Sequence, residues 1–193
     1  MRSGVKRTVF GGAALAVGAL LAFPAAANAA NTVPGTATLS AGTLTMTTPV
    51  ALGFTATLNG TNQVLAATQA IDVLDQTGSG AGWNITLTST QFTTGGGSPL
   101  VLALTSATDT ALSAGACDAT VTCTLATGST VTYPFVVPAA AVTAPTAVKI
   151  QNAAVNSGLA GQTFTHTMNL AIPANTMAGV YTSTWTYSLV SAP

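Results

Sequence analysis

Two stretches of this chain alternate so regularly that they leave little choice of structure. Residues 180–189 read V-Y-T-S-T-W-T-Y-S-L, with Tyr181, Trp185, Tyr187 and Leu189 on one parity, interrupted only by Ser183. Thr182, Thr184, Thr186 and Ser188 occupy the other. Residues 82–89, G-W-N-I-T-L-T-S, set Trp83, Ile85 and Leu87 against Asn84, Thr86 and Thr88. Successive side chains of a strand point to opposite faces, so each stretch is expected to be a half-buried β-strand. Together they hold both tryptophans of the chain.

The remainder is written in the same style. After the first 29 residues Thr, Ala, Val, Ser and Gly dominate, Glu is absent, and no continuous helical periodicity occurs. Thr and Val favour strands, where β-branching costs little and a hydroxyl can face water. Strands are expected at 37–46, 53–58, 69–75, 83–89, 100–104, 120–125, 130–137, 147–151, 163–172 and 180–190. Their spacing, with turn residues between, predicts an all-β, antiparallel β-sandwich, and residues 30–193 suit one domain. The glycine-rich run 76–82 reads as a hairpin loop that delivers Trp83 into its strand, and 93–98 as a solvent loop. No lysine and no helix accompany those glycines, which argues against a phosphate-binding loop. With so few charges, exposed sheet edges have to be protected by Thr, Pro134 or covering loops; an unprotected edge leads to polymerisation.

Residues 1–29 read as an export signal. Arg2, Lys6 and Arg7 form a positive head, residues 9–23 are an uncharged apolar run, and Ala27-Asn28-Ala29 supplies small residues for cleavage between Ala29 and Ala30. The run is shorter than the roughly 20 residues that a membrane-spanning helix needs, and no other stretch resembles a span. No lipid-anchor cysteine follows it, and no sorting motif is present. The mature chain is therefore expected to be secreted, without a membrane span, and held at the surface by non-covalent contacts. Three of the four basic residues leave with the signal, so Lys149 faces Asp72, Asp75, Asp109 and Asp118, a net charge of minus three. That balance excludes a basic patch and with it nucleic-acid binding. Bacterial wall polymers are largely anionic, so adhesion to them has to be hydrogen-bonded and apolar.

Two Trp-led strands far apart in one chain resemble the WxL domain family, secreted proteins that attach non-covalently to the wall of Gram-positive bacteria. In that family a proximal Gly-Trp-x-aliphatic strand is matched by a distal Tyr…Trp-x-Leu strand. Here the proximal copy is Trp83-Asn84-Ile85 and the distal one Trp185-Thr186-Tyr187, with Leu189 two positions later on the same face. The order of D-Q-T-G-S-G-A-G-W, Y-P-F-V-V-P, A-P-T-A-V-K-I-Q-N-A and P-A-N-T-M-A-G-V-Y-T-S-T-W is also similar to such proteins, over residues 36–193. The resemblance implies a WxL-like β-sandwich whose partner is peptidoglycan or another wall polymer, with other secreted surface proteins as further partners.

Catalytic chemistry finds little support. His166 is the single histidine, and parity places it with Phe164, Met168, Leu170 and Ile172, the setting of a packed ring rather than a general base. There is no G-x-S-x-G elbow, no Glu to pair with an Asp, and Asp72 and Asp75 fall on opposite faces of a strand. No calcium loop or zinc-ligand spacing is present, so neither a cofactor nor a metal is expected. Cys117 and Cys123 are the only cysteines, and in an exported chain are expected to form a disulfide that staples a short loop.

Trp83, Tyr181, Trp185 and Tyr187, with Ile85 and Leu189 as the aliphatic partners, are the candidate site residues. Shared parity places them on a common face but leaves two readings open: sandwich core that fixes strand register, or an aromatic surface that stacks on sugar or peptide. Two functions are weighed accordingly: a non-catalytic, secreted wall-binding domain, and a fimbria-like or surface-matrix subunit that assembles by strand addition.

Overall fold

The two Trp-led stretches are strands, and they are neighbours. In the computed structural model, which describes residues 32–97, 100–102, 107–141, 143 and 145–192, β3 (Trp83–Thr90) pairs antiparallel with β10 (Trp185–Ser191). Trp83 lies opposite Ser191, Ile85 opposite Leu189, Leu87 opposite Tyr187 and Ser89 opposite Trp185. The tryptophans thus stand at opposite ends of one ribbon with their side chains on the same face, about 20 Å apart at the usual rise of roughly 3.3 Å per residue. Residues 1–29, and with them the expected cleavage between Ala29 and Ala30, lie outside the described residues.

Leu39–Pro193 makes one compact unit. Its second sheet is built on two long strands, β2 (Gln63–Asp75) and β9 (Ala160–Ile172), paired antiparallel along their whole length from Gln63 opposite Ile172 to Asp75 opposite Ala160. β1 (Leu44–Thr47) adds to the outer edge of β2. On the other side β4 (Ala107–Leu112) and the two-residue β5 (Ala116–Cys117) pair with β9, and β6 (Phe135–Val136) pairs with β4. In the first sheet β8 (Val148–Ala153) pairs antiparallel with β3, and β7 (Ala139–Ala140) pairs parallel with it. No helix occurs among the described residues, and the protein is an all-β sandwich of two mainly antiparallel sheets.

Period-two alternation explains which residues meet inside. Odd residues of β2 and even residues of β9 turn inward, giving facing pairs Ile71 with Phe164, Gln69 with His166, Ala67 with Met168 and Leu65 with Leu170. Ile71, Val73, Phe164, Met168 and Leu170 are buried against Trp83, Ile85, Leu87 and Ile150 of the other sheet, with Val137 next to β4 in the same cluster. Burial of a side chain of this size contributes roughly 1.5–3 kcal/mol, and these residues hold the sheets together.

Several sequence expectations are corrected. The run 76–82 is a crossover between sheets rather than a hairpin loop, since β2 and β3 belong to different sheets. Gly78, Gly80 and Gly82 all have positive φ, and a Cβ on Gly82 would fall 2.4 Å from the Ala153 carbonyl oxygen, so glycine is required there. Residues 120–125 form a loop: a turn with Val121 N donating to Asp118 O and φ 66° at Thr120 breaks the alternation of T-V-T-C-T-L. The expected 37–46 strand is confined to Leu44–Thr47, and 53–58 pairs with no strand among the described residues. The expected 180–190 strand starts at Trp185, although Thr182 and Thr184 remain hydrogen-bonded to Thr93 and Thr90. Of 130–137 only Phe135–Val136 is strand. Of 100–104 only residues 100–102 are described, with one bridge from Val101 to Thr93. β4 and the first half of β2 were not expected.

Candidate functional site

The interior is divided across its middle by polar groups. Tyr187 of β10 donates its hydroxyl to Gln69 Oε1 of β2 at 2.5 Å, joining the two sheets. Beside Gln69, His166 Nδ1 lies 2.7 Å from Asp109 Oδ2, with both residues fully buried. A bulge in β4 between Asp109 and Ala111 shifts the register beside this pair. The Tyr133 ring centroid is 6.4 Å from that of His166, and its hydroxyl donates to the Ile150 carbonyl. Burial pushes the Asp109 carboxyl up, against the hydrogen bond and charge of His166, which pull it down. Burial also raises the Tyr187 and Tyr133 hydroxyls, with Asp109 adding to both and the Gln69 hydrogen bond opposing it at Tyr187. A buried polar group is costly unless paired, so this belt fixes how the two sheets align. Sealed from solvent, the His–Asp pair meets no dissolved substrate.

On one side of the belt the sandwich is closed. Trp83 has 0 % exposure, donates its indole Nε1–H to the Gly158 carbonyl at 2.9 Å, and meets the Phe164 ring edge-on at 5.8 Å. Gly158 has φ +72°, and a Cβ there would lie 2.5 Å from Trp83 Nε1, so the indole and the glycine fit only together. Ile85 is likewise fully buried. Trp83 and Ile85 therefore belong to the core and present nothing to a ligand.

On the other side it is open. Beyond the belt, Leu65, Leu170 and Ile172 floor a cleft of about 720 Å³, walled by Phe92, by the unpaired segment 52–58 and by the loop 176–181. Phe54, Phe92 and Trp185 form an edge-to-face series, with centroids 6.1 Å apart for the first pair and 6.5 Å for the second. Tyr181 faces into the cleft and is fixed by donating its hydroxyl to the Met177 carbonyl at 2.9 Å. Met177 and Val180 on its rim are 64 % and 82 % exposed. Among the described residues no charged side chain lines the cleft; Thr55, Thr57 and Thr176 supply hydroxyls.

The structure thus separates the candidate residues. Tyr181, half-buried, lines the cleft with Phe92; Trp185, half-buried, stands behind Phe92, edge-on to its ring; Tyr187 bridges the sheets at the belt; Leu189 is half-buried opposite Ile85; Trp83 and Ile85 are inside. Phe54, Phe92 and Leu65 were missed. The alternation of Phe54, Ala56 and Leu58 was the available signal for the first, and no signal pointed to the others. Gln69 carried one, since a polar residue on the parity of Leu65, Ile71 and Val73 marks a buried polar pair.

Cys117 and Cys123 form a disulfide (S–S 2.01 Å) in a loop held to β9 through Cys117 opposite Gln162 and Thr124 bridged to Leu159. Among the described residues no cluster of three or more His, Cys, Asp or Glu is placed to hold a metal, and no helix is long and apolar enough to cross a membrane.

Fold and cleft together define a β-sandwich whose interior opens at one end onto an uncharged, aromatic-lined surface. The family model described as WxL domain surface cell wall-binding matches residues 28–193, and the chain belongs to the WxL family. That domain is a surface cell wall-binding module of secreted proteins, which places this chain at the cell surface. No curated protein and no solved structure matches the chain.

Proposed function

We propose that this protein is a non-catalytic module that holds to the peptidoglycan of the wall through its open end, with Tyr181 and Phe92 as the contact surface and Trp185 supporting Phe92 from behind. The observation that carries the reading is the cleft itself, apolar and aromatic with hydroxyls and no charge. Aromatic faces suit the C–H side of a sugar ring, while Thr55, Thr57 and Thr176 suit its hydroxyls. Charge offers no alternative, because the chain after residue 29 carries one Lys and four Asp.

Co-sedimentation of the folded protein with isolated peptidoglycan tests this. Binding is expected to persist when salt is raised to about 0.5 M, where the Debye length falls to a few Å. Tyr181→Ala and Trp185→Ala are expected to weaken it about tenfold or more while the protein stays folded. Release by salt, or full binding by both variants, overturns the reading.

A further inference from the structure

β1 leaves β2 unfinished, and the cause is Pro49. The pair runs in register from Leu44 opposite Asp75 to Thr47 opposite Asp72, and continued it would bring Leu52 opposite Ala67 and Phe54 opposite Leu65. Gln76 N donates to Thr43 O at 3.0 Å, so the odd residues of this strand turn their backbone groups toward β2. Position 49 therefore requires an N–H that proline lacks. Beyond it the chain makes no backbone–backbone hydrogen bond to a described residue until β2 begins. The consequence is an open edge on β2, where residues 64–70 pair with β9 on one side only. Val64, Ala66, Thr68 and Ala70 point their backbone groups outward there, next to the apolar cleft floored by Leu65.

The same chain carries a strand-patterned segment that belongs to no sheet. Residues 32–43 are exposed throughout, with Val33 at 88 % and Leu39 at 94 %. Residues 35–41 read G-T-A-T-L-S-A, with Ala37, Leu39 and Ala41 on one parity and Thr36, Thr38 and Ser40 on the other. This is the alternation of a half-buried strand. It contains no proline and no charge, and it matches the seven residues of the open edge in length.

We infer that residues 35–41 of one copy add as a strand to residues 64–70 of another, seating Leu39 in the cleft beside Leu65. Strand addition draws affinity from main-chain hydrogen bonds and specificity from alternate side chains in pockets, and edge and arm supply both. The 52–58 segment yields without breaking a ladder, because it has none. Each copy then offers a donor and an acceptor at different places, a head-to-tail contact that extends to filaments unless it closes into a ring. A cleft that holds Leu39 is closed to a wall polymer, so assembly and wall binding exclude each other at any one copy; the inference does not depend on the wall-binding reading, and its readout needs no wall.

The test is sedimentation of the exported, naturally processed protein over a range of concentrations. Wild type is expected to form dimers and longer species. Leu39→Asp removes the donor by placing a charge on the arm's apolar parity. Ala66→Pro removes the acceptor by deleting an N–H that faces the open edge, leaving the β9 ladder intact. Each variant alone is expected to be monomeric with an unchanged melting temperature, and an equal mixture to give dimers and nothing larger. Wild type that stays monomeric at its highest soluble concentration, variants that assemble like wild type, or a mixture that stays monomeric each overturns the inference. If Ala66→Pro fails to fold, Leu39→Asp on the exposed arm decides alone: a monomer supports the inference and wild-type assembly sinks it.

Discussion

The Trp83 end and the Trp185 end of the molecule are built from one pair of strands with one pattern, yet they do opposite things. At the first, a glycine with positive φ lets the indole close against the backbone, and its N–H finds the Gly158 carbonyl. At the second, the neighbouring chain leaves β2 at Pro49, and Trp185 packs edge-on against Phe92, which lines a cleft. The belt of Tyr187, Gln69, His166 and Asp109 lies between. Identical alternation therefore fixes a strand and its face but not whether that face is sealed; the residues that supply or withhold the opposing layer decide it.

The sharpest way to break this comparison is to truncate both indoles. Trp83→Ala is expected to cost about 3–5 kcal/mol, enough to unfold a marginal domain, whereas Trp185→Ala should cost about 1–2 kcal/mol because part of that side chain is already wet. Equal losses in a urea melt would mean the two ends are not different. A second contrast uses glycines. Gly158→Ala places a Cβ 2.4 Å from the Ala153 Cβ at φ +72° and is expected to cost about 2 kcal/mol or more. Gly179→Ala at the open end meets the Thr94 Cγ2 at 3.1 Å and the Tyr181 Cε2 at 3.7 Å, both side-chain atoms, and should change stability by less than about 0.5 kcal/mol. Circular-dichroism melts of the two variants read the difference.

The belt gives the smallest effect. Asp109 and Asp72 are both raised above 3.8, chiefly by burial, with Asp118 next to Asp72 adding repulsion. A folded state that holds its protons more tightly than the unfolded chain is favoured by acid. The stabilisation is complete below pH 3.8 and is lost as pH rises through the raised folded values. The melting temperature at pH 4 should therefore slightly exceed that at pH 7, and Asp109→Asn should flatten the slope. A melting temperature that climbs steadily from pH 4 to pH 7 would contradict this.

Much of the architecture was legible in the residues because strands with one wet face write their own alternation. Trp83, Ile85 and Leu87, or Phe164 to Ile172 on β9, could be assigned a face from parity alone. What parity does not carry is partnership: nothing in either stretch says that β3 and β10 are adjacent, or that β2 and β3 belong to different sheets. β4 escaped because Asp109 sits on its inward face, and a charge there reads as solvent until its histidine is known. Residues 120–125 misled for the opposite reason, since T-V-T-C-T-L alternates well but a turn and a disulfide hold it as a loop. At the site, Trp185 and Tyr181 were visible, while the cleft was not, because it arises from a strand that fails to pair.

The hydrogen bond from Tyr187 to Gln69 spans 118 positions, and that from Asn84 to Ala192 spans 108. Only β1 and β2 are joined to a sequence neighbour; every other principal pairing waits for chain made much later. Such non-local topology folds in milliseconds to seconds rather than microseconds. β10, which completes the first sheet beside β3, is also the last strand to be made, so that sheet cannot close until synthesis is over. The Cys117–Cys123 link adds a second late step, since it is chemically permitted only in an oxidising compartment.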